Sequence, residues 1–253
     1  MNIAIGINGF KKEEDLLPRE LLCLESLRKI KTDNIKLYNI CYEEENIIYK
    51  DFTTLFTPNI SNNKLTYVNQ NINTLAQVDA DIILFLNNDI IVSNKLLDIF
   101  DDSDTYPISR VHLHSLDSLD EELNMQAYSV QGFDAFAFKK DWWLENNNLF
   151  PNYFIGKPYW DTHFFVICML NSKCKVINKL PPVIFHIEHE SVACTSQDFE
   201  QAHNENIAIR HKEMGLWWKY VYDVLLKRES YNDILWYLPF ENEEELERHY
   251  FTR

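Results

Sequence analysis

Residues 84–92 read Leu84-Phe85-Leu86-Asn87-Asn88-Asp89-Ile90-Ile91-Val92, and this stretch decides how the remainder of the chain is read. Ile82 to Leu86 is an unbroken apolar run between Asp81 and a polar triplet, the pattern of a strand buried on both faces. Asn87-Asn88-Asp89 turns the chain, and Ile90 to Val92 begins a second short strand. In an open α/β sheet ligands bind outside the carboxyl ends of the strands, so Asp89 stands at the rim of the expected cleft. The plain alternative is that Asn-Asn-Asp is only a good turn, because these side chains tolerate left-handed backbone and bond their own turn.

Toward the N-terminus, Asn2 to Ile7 reads as a buried strand. Pro18 suits the first turn of a helix that carries Leu21, Leu22, Leu24 and Leu27 on one side. Ile35 to Ile40 is a second strand, Lys64 to Val68 a third, and Ile72 to Val78 a helix. Strands alternating with helices predict an α/β fold with a mainly parallel sheet flanked by helices. Beyond Asp89 a helix is expected from Asn94 to Phe100, and strands at Ser109 to His112, Gln126 to Val130 and Asp134 to Phe138. Helices follow over Lys140 to Glu145 and Asp161 to Leu170, then strands at Cys174 to Ile177 and Val183 to Ile187. From Ser196 the pattern is helical and polar, anchored by Trp217, Trp218, Tyr220, Trp236 and Tyr237. Residues 1–195 are therefore expected to form one domain, with 196–253 a helical extension packed on it.

The chain of 253 residues is 46% hydrophobic, enough for one sizeable core. Its net charge of −15 argues against binding nucleic acid or an anionic membrane, which require surplus Lys and Arg. A protein this acidic that handles an anionic substrate needs a metal ion or a small basic cluster where the anion sits. Five cysteines, odd in number and without a C-x-x-C pair, suit reduced thiols in a cytoplasmic setting. The longest apolar runs are too short to cross a bilayer, so a soluble chain is expected.

Three later segments add chemistry to the turn at Asp89. Gly132-Phe133-Asp134-Ala135-Phe136-Ala137-Phe138 alternates as a strand after a glycine. Phe154-Ile155-Gly156-Lys157-Pro158-Tyr159-Trp160-Asp161 sets a carboxylate beside Trp160 at the start of an apolar helix. Asp161 there is either a helix N-cap or a general base whose pKa is raised by partial burial. Phe185-His186-Ile187-Glu188-His189-Glu190 closes a strand with two imidazoles. Their three-residue spacing places the rings on opposite faces, so at most one is a ligand, and a structural role is the commoner one.

Taken in order, these segments resemble glycosyltransferases of the GT-A fold, notably small family-2-like transferases of bacteria and large viruses. The likeness spans roughly residues 2 to 192 and rests on five features. They are the first strand, the Asn87-Asn88-Asp89 turn in place of D-x-D, Asp134 after Gly132, the Ile155 to Asp161 block, and His186-x-x-His189. The resemblance implies a GT-A-type, Rossmann-like sheet and an enzyme that moves a sugar from a nucleotide-diphosphate sugar, by default a UDP-sugar, to an acceptor hydroxyl. It implies Mn²⁺ or Mg²⁺ on the donor diphosphate, held by Asp89 with His186 or His189. Asn8 and Phe10 would lie at the nucleotide base, Asn87 and Asn88 at the ribose or sugar, and Asp134, Lys157 and Trp160 around the donor. Arg110 or Lys157 would help neutralise the leaving group, and Asp161 would deprotonate the acceptor, giving inversion. Asn87 departs from the D-x-D pattern, being neutral and a poorer metal partner. The implied partners are the nucleotide sugar and a glycan or other hydroxyl acceptor, with the C-terminal helices available for self-association. Two readings compete: a sugar nucleotidyltransferase, although Asn8-Gly9-Phe10-Lys11-Lys12 offers only one glycine, and a sugar-binding protein that has lost catalysis.

Overall fold

The computed structural model describes residues 1–113, 132–157, 159–177, 183–187 and 197–212. The chain begins with β1 (Ile3–Asn8), α1 (Pro18–Ile30), β2 (Ile35–Tyr42), β3 (Thr53–Thr57), α2 (Val68–Leu75) and β4 (Ile82–Leu86). After the Asp89 turn come β5 (Ile90–Val92), β6 (Thr105–Ser109), β7 (Val111–Leu113), β8 (Phe133–Lys139) and α3 (Lys140–Asn146). The described elements end with α4 (Trp160–Asn171), β9 (Ile184–Ile187) and α5 (Gln197–Lys212).

Six strands form the main sheet in the order β3-β2-β1-β4-β8-β6. β3, β2, β1 and β4 run parallel, and β8 is antiparallel to both β4 and β6. The result is the expected α/β class, a mixed and mainly parallel sheet with helices on its faces. Alternation along β1 explains the layering. Ile3, Ile5 and Ile7 point into a core shared with Leu24 and Leu27 of α1, while Ala4 points to the opposite core with Ile72 and Leu75 of α2. Gly6 is where α2 comes close, since a Cβ there would fall 2.9 Å from the Leu75 side chain. All five residues of β4 are buried. Burying a run of this size stabilises the fold by roughly 1.5 to 3 kcal/mol per large apolar side chain.

A second, three-stranded sheet in the order β5-β9-β7 rises beside the carboxyl edge of the first. Its anchor is α1, where the Ser26 hydroxyl accepts the Val92 N–H at 3.0 Å and donates to the Cys23 carbonyl at 2.8 Å.

The helix expected at Ile72 to Val78 is Val68–Leu75, the strand expected at Ser109 to His112 is divided at Arg110 between β6 and β7, and three further expectations change. The third strand is Thr53–Thr57, and residues 64–67 lead into α2 instead. There the Asn63 side chain takes the Leu65 N–H at 2.9 Å, and Tyr67 makes a single bridge to Phe154. Local side-chain bonds to the backbone compete with a ladder at such residues. Residues 174–177 pair with β6 as two isolated bridges, Cys174 with Thr105 and Ile177 with Ile108, because Pro107 of β6, between those two partners, has no N–H to give. The segment after Asn94 is a 3-10 helix, Asn94–Ile99. Gln126 to Val130 and the aromatic anchors from Trp217 to Tyr237 lie outside the described residues.

α5 docks on the core, with Ala202 and Asn206 fully buried and Lys64 paired with Asp198 at 3.8 Å. Among the described residues no helix is long and apolar enough to cross a membrane.

Candidate functional site

β1 and β4 are neighbours with Ile7 opposite Leu86, so Asn8 and Asn87 leave the sheet side by side. Asn8 Oδ1, Asn87 Oδ1 and Asn88 Nδ2 are buried and have no hydrogen-bond partner among the described residues. Leaving such a group unsatisfied costs about 1 to 3 kcal/mol, so these three atoms are candidates to bond a water or a ligand. Gly9 follows because a Cβ there would fall 2.1 Å from Asn39 Oδ1. Phe10 is 37% exposed, with the Lys11 ammonium 4.9 Å from its ring centre.

The charged part of the site lies on the other side of β4. Asp89 ends the turn immediately before β5, and Ile90 pairs with His186 of β9. His112 of β7 is in register with His186, and the two rings meet edge to face at 5.2 Å. The Asp89 Oδ2 to His186 Nε2 distance is 3.3 Å, at side-chain exposures of 23% and 11%. Arg110, between β6 and β7, donates from Nε to His112 Nε2 at 3.3 Å and from a terminal nitrogen to Asp134 Oδ2. The other oxygen of Asp134 accepts the Asn87 amide at 3.0 Å. Asp134 is 5% exposed. Burial pushes its carboxyl up to about 6 against the pull of Arg110, and the negative charges of Asp161 and Asp89 add to the rise.

Asp161 sits in the first turn of α4, where helix dipoles favour a carboxylate. The residue in the N-cap position is Tyr159, in left-handed backbone at φ 83°, and it makes no side-chain cap bond. Holding a tyrosine in that conformation costs on the order of 1 to 3 kcal/mol. Gly132, at φ 82°, passes close to the carboxylate: a Cβ there would stand 3.2 Å from Asp161 Oδ2 and 3.8 Å from Arg110 Cζ. Burial raises the Asp161 pKa, while the Thr162 N–H, Arg110 and the Phe133 N–H restrain it. A carboxyl whose pKa is raised toward the working pH is better matched to general-base work than an ordinary one.

Asp89, Asn87, Asp134, Asp161, His186 and Arg110 are thus brought into one group by β4, β8, β9, α4 and the link between β6 and β7. Trp160 is placed elsewhere, 3% exposed and packed on Phe136 and Phe164 of the core. Lys157 carries its ammonium 4.4 Å from the Phe199 ring of α5. His189 lies outside the described residues. His112 is the member that sequence reasoning missed. Its signal was present, since Arg110 and His112 are two residues apart in a strand-like run and share a side of the chain.

Among the described residues no three metal-ligating side chains converge, so Asp89 and His186 form the candidate pair. Their separation suits a divalent ion. Adjacent ligands of an octahedral ion with bonds of about 2.1 Å stand about 3 Å apart, and Mg²⁺ characteristically takes one or two protein ligands plus phosphate oxygens and water.

No family model matches the chain, and no curated protein matches it. Solved structures do share its fold. S. aureus TarS in complex with UDP-GlcNAc superposes with a TM-score of 0.53 at 12% identity, over 93% of this chain and 78% of that one. TarS in complex with UDP gives 0.50 at 12% identity, over 98% and 78%. The likeness is one of architecture, the mixed and mainly parallel GT-A-type sheet flanked by helices.

Proposed function

We propose that this chain is a glycosyltransferase that moves a sugar from a nucleoside-diphosphate sugar to an acceptor hydroxyl, with inversion and with help from a divalent cation. The observation that carries the reading is the gathering of charge beyond the β4 edge. A carboxylate and imidazole pair, Asp89 with His186, stands in the same group as the raised carboxylate of Asp161 beside Arg110. The shared fold adds support, because TarS holds UDP-GlcNAc.

In the proposed reaction the acceptor hydroxyl gives its proton to Asp161 as its oxygen bonds to the anomeric carbon. The bond from that carbon to the phosphate oxygen breaks on the opposite face, and its electron pair leaves with the nucleoside diphosphate. Asp89 and His186 would hold Mg²⁺ or Mn²⁺, which supplies charge stabilisation to the departing diphosphate. Arg110 keeps a fixed positive charge within the same group and limits the mutual repulsion of Asp134 and Asp161. Asn8, Asn87 and Asn88 offer unspent donors and acceptors to the uncharged hydroxyl and base edges of the donor.

Thermal unfolding with UDP or UDP-GlcNAc, with and without Mn²⁺, tests the reading. Binding at 100 times Kd stabilises by about 2.7 kcal/mol, so an upward shift that needs both nucleotide and ion is expected. The Asp89→Ala variant should lose the manganese-dependent part of that shift. A second reading, a sugar-binding protein without catalysis, draws support from Asn87, whose amide bonds Asp134. Stabilisation by free sugars but not by UDP would favour it.

A further inference from the structure

The segment that delivers Asp161 is gripped by a helix from much later in the chain. Residues 153–155 are bonded on one side to residues 66–68: Val68 N–H donates to the Tyr153 carbonyl at 2.8 Å and Ile155 N–H to the Thr66 carbonyl at 3.1 Å. On the other side stands Asn206 of α5. Its Oδ1 accepts the Phe154 N–H at 2.9 Å, and its Nδ2 donates to the Phe154 carbonyl at 3.1 Å. One buried side-chain amide takes the place of a neighbouring strand.

Downstream the backbone turns left-handed twice, at Gly156 (φ 68°) and at Tyr159 (φ 83°). Glycine accepts this conformation freely, whereas a tyrosine keeps it only where its surroundings over-determine it. α5 supplies part of those surroundings. Arg210, one turn beyond Asn206, lays its guanidinium 4.3 Å from the Tyr159 ring centre. Tyr159 is also the residue from which α4 departs, its carbonyl accepting the His163 N–H at 3.1 Å. Its backbone angles therefore set the direction of the Asp161 carboxylate.

We propose that α5 positions the reacting base: Asn206 and Arg210 hold the turn that ends at Tyr159 so that Asp161 stands beside Gly132 and Arg110. This rests on the base role given to Asp161 above. Neither α5 residue touches the acceptor or donor; both act through the turn.

The test uses the full chain with Arg210→Ala, Arg210→Lys and Arg210→Ala combined with Tyr159→Gly. Arg210 is exposed, so these variants fold even where Asn206→Ala does not. Hydrogen exchange at the His163 amide should quicken by roughly tenfold in Arg210→Ala, with the Leu84 amide of β4 unchanged. UDP release from UDP-GlcNAc as probe should lose roughly tenfold in kcat, with the Kd for UDP within twofold, as expected of a base moved off its line. Arg210→Lys keeps a cation over the ring and should recover most of that loss. So should Tyr159→Gly in the Arg210→Ala background, because glycine needs no help at a positive φ. Unmoved exchange and kcat in Arg210→Ala, or a loss of UDP affinity and global stability in step with kcat, overturns the proposal. Faster His163 exchange in a protein whose native form releases no UDP would leave the positioning contact standing and remove the transferase reading.

Discussion

The two halves of the main sheet end in different chemistry. The parallel half delivers neutral amides to its carboxyl edge, Asn8 from β1 and Asn87 after β4. The half beyond β4, with the small second sheet, delivers charge: Asp134 from β8, Arg110 and His112 around β7, and His186 from β9, all within reach of Asp89 or Asp161. Neutral amides read uncharged hydroxyl and base edges without needing a counter-charge. An anion entering a chain of net charge −15 needs local neutralisation, and in the charged half Arg110 stands among Asp89, Asp134 and Asp161, so under the proposed function a divalent ion would have to supply the remaining positive charge.

The largest effect belongs to the charged half. Asp161→Asn removes the proposed proton acceptor but keeps the shape, so turnover should fall by about 10² to 10⁴ while UDP binding stays within about twofold. Unchanged turnover in a folded variant would move the chemistry away from α4. Next comes Arg110→Ala. Asp134 is buried with this guanidinium as its charge partner, and breaking a buried pair from one side typically costs 3 to 5 kcal/mol. Because Arg110 is partly exposed, a loss of about 2 to 3 kcal/mol in urea unfolding is expected. Adding Asp134→Asn should return much of it, since the stranded charge is then gone.

The same carboxyl gives a pH signature of comparable size. In the folded chain Asp134 keeps its proton up to about pH 6, whereas unfolded it releases it near 4. Between those values the native state binds more protons than the unfolded one, so stability falls as pH rises through the window and is level above it. At about 1.4 kcal/mol per unit, the native protein should lose on the order of 2 to 3 kcal/mol more than Asp134→Asn across this range. Parallel stability curves for the two proteins would show that Asp134 is not held protonated by burial.

The two halves also differed in how far the sequence revealed them. The parallel half was legible because each strand is an apolar run closed by polar residues, as Ile82 to Leu86 is by Asp81 and Asn87. The exception is instructive: Thr53–Thr57 is an edge strand with little apolar content, and Lys64 to Val68 imitated a strand better than the strand itself did. In the charged half the members were nameable one at a time, Asp89, Asp134, Asp161 and His186, while their grouping was implied only by the family resemblance and not by any local pattern. That grouping comes from β8 running back antiparallel between β4 and β6, and from β7 and β9 pairing in parallel across a long separation. No local pattern encodes such register. Asn206 was unreadable for the same reason, because an asparagine on a polar helix gives no sign that it will meet the backbone of a residue 52 positions earlier.

The smallest effect separates ligand binding from stability within the neutral half. Asn8 holds a buried carbonyl oxygen that finds no partner among the described residues. Truncating a residue that serves the fold lowers stability, whereas truncating one that waits for a ligand removes an unsatisfied group from the free protein. Asn8→Ala should therefore leave the unliganded chain within about 1 kcal/mol of the native one, unchanged or slightly more stable. UDP binding, measured by calorimetry, should weaken by about fivefold, the worth of one neutral hydrogen bond of about 1 kcal/mol. The two measurements then move in opposite senses. A variant that loses stability and keeps its UDP affinity would make Asn8 part of the scaffold, and the contrast between the two edges would rest on Asn87 and Asn88 alone.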